Sequence, residues 1–140
     1  MENYYDHETG EWVTDWSRYV AVEEQPRYDG LRTRTVPPEV EWLLLLELLA
    51  EVPDDVVFHV GCGPLQNFIR AYGAAFVDQL EAAARDDERF RRAVIEVDLP
   101  AGMLPETVEA RLVAAFGPRF ELLPPLSAAE PAESGVPIDP

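Results

Sequence analysis

The chain has 140 residues, of which 27 are acidic and 11 basic, so its formal net charge is −16. All of the basic residues are arginine, which excludes Schiff-base chemistry on lysine and the lysine of a phosphate-binding loop. The apolar fraction of 47% predicts a folded core. The acidic field disfavours direct nucleic-acid binding and anionic membranes, and it favours a basic protein partner.

The sequence is typical of a cytoplasmic protein. Cys62 is the only cysteine, so an internal disulfide is impossible and a reducing compartment fits. The first six residues are acidic and aromatic, unlike the basic and then apolar start of a secretion signal. The longest apolar run, residues 42–50, is interrupted by Glu47 and is too short to span a bilayer. We therefore expect no membrane contact.

Residues 4–13 predict a short β-hairpin. Asp6 and Gly10 suit its turn, because Asp accepts hydrogen bonds from turn amides and glycine adopts positive φ. Tyr5 and Trp12 would face each other across the two strands. The stretch resembles the designed mini-hairpin chignolin, which implies local structure and carries no function.

A short helix over residues 14–22 is predicted from the helical spacing of its aromatic residues, which include Trp16, and a strand over the β-rich residues 19–22 is the alternative. Residues 23–35 contain proline, glycine and scattered charges and indicate a connecting loop. Residues 1–34 are therefore interpreted as an N-terminal hairpin and connecting segment, followed by a helical domain over residues 35–126.

The helical domain is predicted from apolar periodicity and from prolines and glycines at helix ends. The first helix begins at Pro37 and Pro38, is apolar nearly all round and is expected to be central. The predicted helices span about residues 37–52, 54–60, 64–72, 76–85, 86–94 and 105–116. The side chains expected to form the centre of the core are Leu45, Leu49, Phe68, Leu80 and Phe90.

The remaining segments complete a mainly α fold. Residues 120–123 are interpreted as a short strand, and residues 127–140, which contain three prolines among small and acidic residues, as a disordered tail. The fold class predicted from the sequence is a compact domain of five to six helices with a short N-terminal β-hairpin and this tail.

Residues 61–73, GCGPLQNFIRAYG, resemble a bacterial domain family of unknown function. The corresponding run of that family looks like Ala-Gly-Pro-Leu-Glu-Asp-Leu-Leu-x-x-His-Gly, and the similarity covers about residues 38–97. Gln66, Asn67 and Tyr72 stand where the family often has Glu, Asp and His. The resemblance implies a fold and no activity, and we interpret the motif as the beginning and end of a helix.

His59 and Cys62 form an H-x-x-C pair, which is the strongest candidate for zinc binding or nucleophilic catalysis. A zinc site needs three or four such ligands, and the only other histidine is His7. We therefore favour a structural histidine and a small buried thiol. The sequence gives no metal site, cofactor or catalytic residue.

Asp54 and Asp55 allow a second chemical interpretation, as a general base or as magnesium ligands. Because they follow Pro53 at a helix start, capping of backbone amides is favoured. A hydrolase that uses Asp54, Asp55 and His59 remains an alternative, and it requires the three side chains to converge in one pocket.

The favoured function is that of a small acidic intracellular binding protein, of the immunity or antitoxin type, that masks a basic partner. Residues 35–69 contain six carboxylates and no basic residue, and the apolar faces of their helices are expected to turn these carboxylates outward: Glu39, Glu41, Glu47, Glu51, Asp54 and Asp55. The predicted partner-binding residues are Glu47, Glu51, Asp54 and Asp55, with Trp12 and Trp16 as anchors. An alternative is a DNA-mimic decoy, which needs carboxylates at phosphate-like spacing on one face.

One basic cluster, Arg85, Arg89, Arg91 and Arg92, stands out in this acidic chain. It is interpreted either as a site for an anion or an acidic partner, or as local neutralisation of nearby carboxylates, and neutralisation is favoured. The carboxylates in question are Glu81, Asp86, Asp87 and Glu88.

Overall fold

The computed structural model describes residues 4–6, 11–13 and 15–125, with side chains described from residue 17 onward. Within these residues the fold is mainly α-helical, as predicted. The helices are α1 Asp15–Glu23, α2 Asp29–Thr33, α3 Pro38–Glu51, α4 Val57–Val60, α5 Gln66–Tyr72, α6 Val77–Asp86, α7 Glu88–Val94 and α8 Glu106–Phe116. None of the helices in the described part is long and apolar enough to cross a membrane.

Two three-residue strands, β1 Tyr4–Asp6 and β2 Glu11–Val13, lie antiparallel with Tyr5 opposite Trp12. Residues 7–10, where the predicted turn falls, lie outside the described residues. The hairpin as a whole therefore stays a prediction. The predicted disordered tail, residues 127–140, also lies outside the described residues.

The prediction of a connecting loop over residues 23–35 is wrong. This segment contains a 3₁₀ turn, Pro26–Tyr28, followed by α2. Tyr28 and Leu31 are buried at helical spacing, so they hold the segment on the core. The described part of the chain contains more helices than the five to six expected, and α2 is one that was not predicted.

Helix α3 supplies much of the core through Trp42, Leu45, Leu48 and Leu49. All five side chains predicted for the centre of the core are buried: Leu45, Leu49, Phe68, Leu80 and Phe90. Helix α3 was expected to be central and packed on several sides, but Leu43 is 59% exposed and Val40 is 40% exposed. One side of this apolar helix faces outward.

The motif at Gly61 does not end a helix as predicted. Helix α4 continues through a π turn, Gly61–Leu65, which is kinked at Gly63 and leads directly into α5. Gly61 has a helical φ of −64°, and a Cβ placed on it would lie only 1.9 Å from the carbonyl oxygen of Ala93 in α7. Glycine is needed there because two backbones approach each other closely.

The end of the described chain partly follows prediction. Gly117 ends α8 with a φ of 97°, a left-handed conformation that favours glycine. Instead of a strand over residues 120–123, the structure has an isolated parallel bridge between Leu123 and Pro100. Its hydrogen bonds join Leu123 N to Leu99 O and Ala101 N to Leu123 O, at 2.9 Å each.

Candidate functional site

The exposed side of α3 is the first candidate site. The α3 outer face, as we call it, consists of Glu39, Val40, Leu43, Glu47 and Ala50, which recur at intervals of three and four residues on the side opposite the core. All five side chains are exposed. Large exposed apolar side chains grouped on one helix face are typical of an interaction surface.

Two carboxylates flank the apolar side chains of the α3 outer face. Neither Glu39 nor Glu47 has an ion pair with any residue in the part of the chain that the structure describes. Their charges are therefore not neutralised by a neighbouring arginine. Glu47 is one of the predicted partner-binding residues, and the structure leaves it available for that role.

The other predicted carboxylates, Glu51, Asp54 and Asp55, are exposed but already paired. Glu51 pairs with Arg27 and accepts a hydrogen bond of 2.6 Å from the Tyr28 hydroxyl. Asp54 pairs with Arg89. Asp55 lies 2.5 Å from Arg18, whose guanidinium lowers the pKa of the Asp55 carboxyl. These pairs weaken the acidic patch predicted from residues 35–69.

Trp12 and Trp16, the predicted anchors, are placed only by their backbone. Trp12 belongs to β2 and Trp16 to α1. Their side chains lie outside the described part of the structure. Their role as anchors stays a prediction.

Glu41 was expected on the outer surface, and that expectation is wrong. The side chain is 1% exposed and faces the core beside Trp42. Its Oε2 lies 3.2 Å from Nε of Arg34, a residue with a left-handed φ of 57° whose guanidinium also stacks over the Tyr72 ring at 5.6 Å. Its Oε1 has no hydrogen-bond partner in the described part of the protein. Burial raises the pKa of Glu41, and Arg34 only partly opposes this.

We expect the Glu41→Gln substitution to change how stability depends on pH. The folded-state pKa of Glu41 is raised above its ordinary value of 4.5. The contribution of Glu41 to the free energy of unfolding is therefore most favourable below pH 4.5 and is lost as the pH rises through the raised pKa. Glutamine does not ionise, so the variant has no such loss of stability. The melting temperature of the variant relative to that of the parent should therefore increase as the pH rises over this range. Thermal melts of both proteins from pH 4 to 8 measure the difference. A constant difference across the range would contradict the prediction.

His59 and Cys62 line a shared groove of about 360 Å³, whose wall includes Tyr19 of α1. The prediction of a buried thiol is wrong, because Cys62 is exposed, whereas His59 is buried with ring contacts to Phe58 at 4.0 Å and Tyr19 at 5.2 Å. Partial burial of the sulfur raises the pKa of Cys62, and the carboxylates of Glu96 and Asp98 raise it further. The thiol is therefore protonated at neutral pH and is a poor nucleophile.

The geometry of Asp54 and Asp55 does not assemble a hydrolytic site with His59. The groove that His59 lines includes neither aspartate, and both carboxylates face arginines. Their predicted capping role is not observed either, since the turn at residues 54–56 begins after Pro53 without a side-chain cap. Among the described residues, no group of three or more His, Cys, Asp or Glu side chains is placed to hold a metal ion.

The sequence model of the family described as "Family of unknown function (DUF6869)" matches residues 9–115. The chain belongs to this family. The predicted resemblance to a family of unknown function is thereby confirmed, although the details of the motif are not tested. The match spans α1 to α7 and nearly all of α8, so the helical body described above is the DUF6869 domain. No curated protein and no solved structure matches the chain.

We expect His59 and Cys62 to be dispensable for binding by this DUF6869 protein. A His59→Gln, Cys62→Ala double variant should fold and bind a captured partner as the parent does, because neither residue lies on the α3 outer face. Circular dichroism, binding assays and metal analysis check this. Stoichiometric zinc in the purified parent that is absent from the variant would overturn the expectation.

The basic cluster mostly serves the fold of the DUF6869 domain. Arg89 pairs with Asp54 and donates hydrogen bonds to the carbonyl oxygens of Leu49, at 2.8 and 3.0 Å, and of Val52, at the end of α3. Such a cation satisfies carbonyl groups that have no partner within the helix. Asp54 lies 35 residues before Arg89 in the sequence, so local neutralisation was not the right interpretation for this arginine.

Two more members of the cluster have partners close in sequence. Arg91 donates to the carbonyl oxygens of Ala84 and Arg85 at 2.7 and 3.1 Å, at the end of α6. Arg85 pairs with Asp86 at 3.3 Å, which is the local neutralisation that was favoured.

Two of the four carboxylates expected to be neutralised by the cluster have other partners. Glu81 pairs with Arg111 of α8. Asp87 caps α7 by accepting hydrogen bonds from the backbone amides of Arg89 and Phe90. Only some of the ion pairs of this cluster could therefore be predicted from neighbouring residues in the sequence.

Proposed function

We propose that this DUF6869 protein is a small acidic intracellular binding protein that covers a basic surface of a protein partner, as an immunity or antitoxin protein does. The observation that carries the proposal is the α3 outer face. There, Val40 and Leu43 are exposed beside Glu39 and Glu47, whose carboxylates have no ion pair in the described part of the chain.

The two kinds of side chain on this face have separate roles in the proposal. Leu43 and Val40 supply apolar area that can be buried on binding, which is the main source of affinity. Glu39 and Glu47 steer a cationic surface toward the face and fix its orientation. A basic surface that contains an apolar depression is the complementary partner.

The distribution of arginine supports an acidic contact surface. Ten of the 11 arginines make an ion pair or hydrogen bond within the described chain, and Arg119 alone makes neither. The excess of carboxylates over arginines remains. A partner that approaches the protein therefore meets surface carboxylates more often than free cations.

This proposal changes the relative weight of the predicted binding residues. Glu47 stays central, and Glu39 joins it. Glu51, Asp54 and Asp55 are given a smaller role, because an incoming cation must first displace their own arginines.

The sequence supports several finer parts of the proposal. Trp12 and Trp16, from the predicted N-terminal hairpin and α1, are proposed as additional aromatic anchors. The proposed location is cytoplasmic. A protein partner is favoured over a DNA-mimic role, because exposed Leu43 and Val40 have no counterpart on a phosphate backbone.

The test begins with a pulldown from the source cell using the tagged chain, followed by binding kinetics with the captured partner at several salt concentrations. Glu39→Gln with Glu47→Gln should lower the association rate about 3- to 10-fold at low salt and less at high salt, since steering is screened. Leu43→Ala should instead raise the dissociation rate, at a cost of about 1–2 kcal/mol of binding free energy.

A matched control separates a local effect from net charge. Glu106→Gln with Glu121→Gln also removes two exposed carboxylates, in α8 and just after it, away from the α3 outer face. Its association rate should stay close to that of the parent. An acidic partner, or an equal fall in rate for the two double variants, would show that the proposal is wrong.

A further inference from the structure

A pocket of about 310 Å³ lies between one side of α7 and the end of α8. Three arginines line it, Arg91, Arg92 and Arg119, together with a single carboxylate, that of Glu88. The pocket is thus locally cationic in a protein whose net charge is −16. The α3 outer face does not contribute to it.

The guanidinium groups of this pocket retain unused hydrogen-bond donors. Arg119 has no ion pair or hydrogen bond in the described part of the chain. Arg92 lies 3.9 Å from the carboxylate of Asp54, beyond hydrogen-bond distance. Arg91 donates to backbone carbonyls only through Nη1, so Nε and Nη2 remain. In contrast, all three guanidinium nitrogens of Arg89 in the same helix donate hydrogen bonds.

The rest of the lining is apolar and is shaped by the end of α8. Ile95, Phe116 and Pro118 line the pocket beside the arginines. Gly117, with its φ of 97°, ends α8 and leads into Pro118 and Arg119. The third arginine of the lining therefore follows the left-handed glycine at which α8 ends.

We propose that this pocket binds a small organic anion, with a carboxylate or phosphate group held by the arginines and a compact apolar group against Ile95, Phe116 and Pro118. Guanidinium groups bind both oxyanions through paired hydrogen bonds. At physiological salt the distant carboxylates are screened over about 8 Å, so the local charge is set by the three arginines against the carboxylates of Glu88 and Asp54, and it is positive. The volume lies at the lower end of the range for ligand pockets, which suits a small molecule and not a polymer.

Isothermal titration with three probes tests the proposal: phenyl phosphate, benzoate and inorganic phosphate. We expect saturable binding of phenyl phosphate or benzoate at millimolar concentration, and weaker binding of inorganic phosphate. Arg92→Ala with Arg119→Ala should weaken the aromatic anions at least about tenfold, because two charged donors are lost. Ile95→Ala should weaken the aromatic anions while leaving inorganic phosphate unchanged.

The control is Arg32→Ala with Arg85→Ala, which removes two exposed arginines outside the pocket. It should bind the probes as the parent does. Thermal melts establish that each variant is folded, and Arg91 is left intact because it caps α6. The Arg92→Ala, Arg119→Ala variant should still capture a protein partner, because the pocket and the α3 outer face share no residue. Loss of anion binding therefore tests the pocket, and loss of partner capture tests the α3 outer face. No saturable binding by the parent, or equal loss in the two double variants, overturns the assignment.

Discussion

Phe68→Ala is expected to lower the free energy of unfolding by about 3–5 kcal/mol. Phe68 is fully buried in α5, and its ring packs against those of Trp42 at 5.5 Å and Phe76 at 5.0 Å. It therefore connects α3 with the segment that precedes α6. Removal of the ring leaves a cavity walled by other rigid aromatic side chains, which cannot collapse to fill it.

Denaturant unfolding of the parent and the variant measures this loss. Leu43→Ala is the matched control, because it shortens a large apolar side chain that is 59% exposed. Its effect on stability should be within about 0.5 kcal/mol. If Phe68→Ala unfolds at the same denaturant concentration as the parent, the buried face of α5 has been assigned wrongly.

The faces of the helices were predictable from the sequence because burial imposes a local period. Leu65, Phe68 and Ile69 fall on one side of an amphipathic segment, and all three are buried. The same reasoning placed Leu80 and Phe90 correctly. No knowledge of neighbouring elements was needed, since each helix repeats its own apolar pattern.

Predictions failed where a partner came from a distant part of the chain. The carboxylates near the end of α3 appeared unopposed because residues 35–69 contain no arginine. Arg18, Arg27 and Arg89 reach them from α1, the 3₁₀ turn and α7. Glu41 stands at the helical spacing i, i+4, i+7 with the buried Leu45 and Leu48, but it was placed outside because of its charge, since a carboxylate is ordinarily exposed.

Only part of the candidate binding surface was predicted from the sequence. Glu47 was identified from its charge, but Val40 and Leu43 were missed because α3 was expected to be a central helix packed on several sides. A signal was present, since Val40, Leu43 and Glu47 recur at intervals of three and four residues. Which side of α3 remains exposed depends on the helices packed against it, and one of these, α2, was not predicted.

Gly61→Ala is expected to destabilise the fold by about 3 kcal/mol or more, in spite of its small size. The added Cβ would lie 1.9 Å from the carbonyl oxygen and 2.8 Å from the carbonyl carbon of Ala93. Both are backbone atoms of α7, so relief requires the helices to move apart. The same carbonyl accepts the hydrogen bond from Glu96 N at 3.0 Å, and a shift of α7 would strain this bond as well.

Gly63→Ala distinguishes this close approach from a general intolerance of the motif. A Cβ at Gly63 meets only the Tyr19 hydroxyl, at an ordinary contact distance of 3.8 Å, so we expect a smaller loss than that of Gly61→Ala. Thermal and denaturant melts of both variants provide the comparison. If the two substitutions cost the same, the motif acts through backbone flexibility. A large loss at Gly61 alone means that glycine is required there because the chain at the end of α4 and α7 are in backbone contact. Any sequence that keeps this crossing would then also need a glycine at this position.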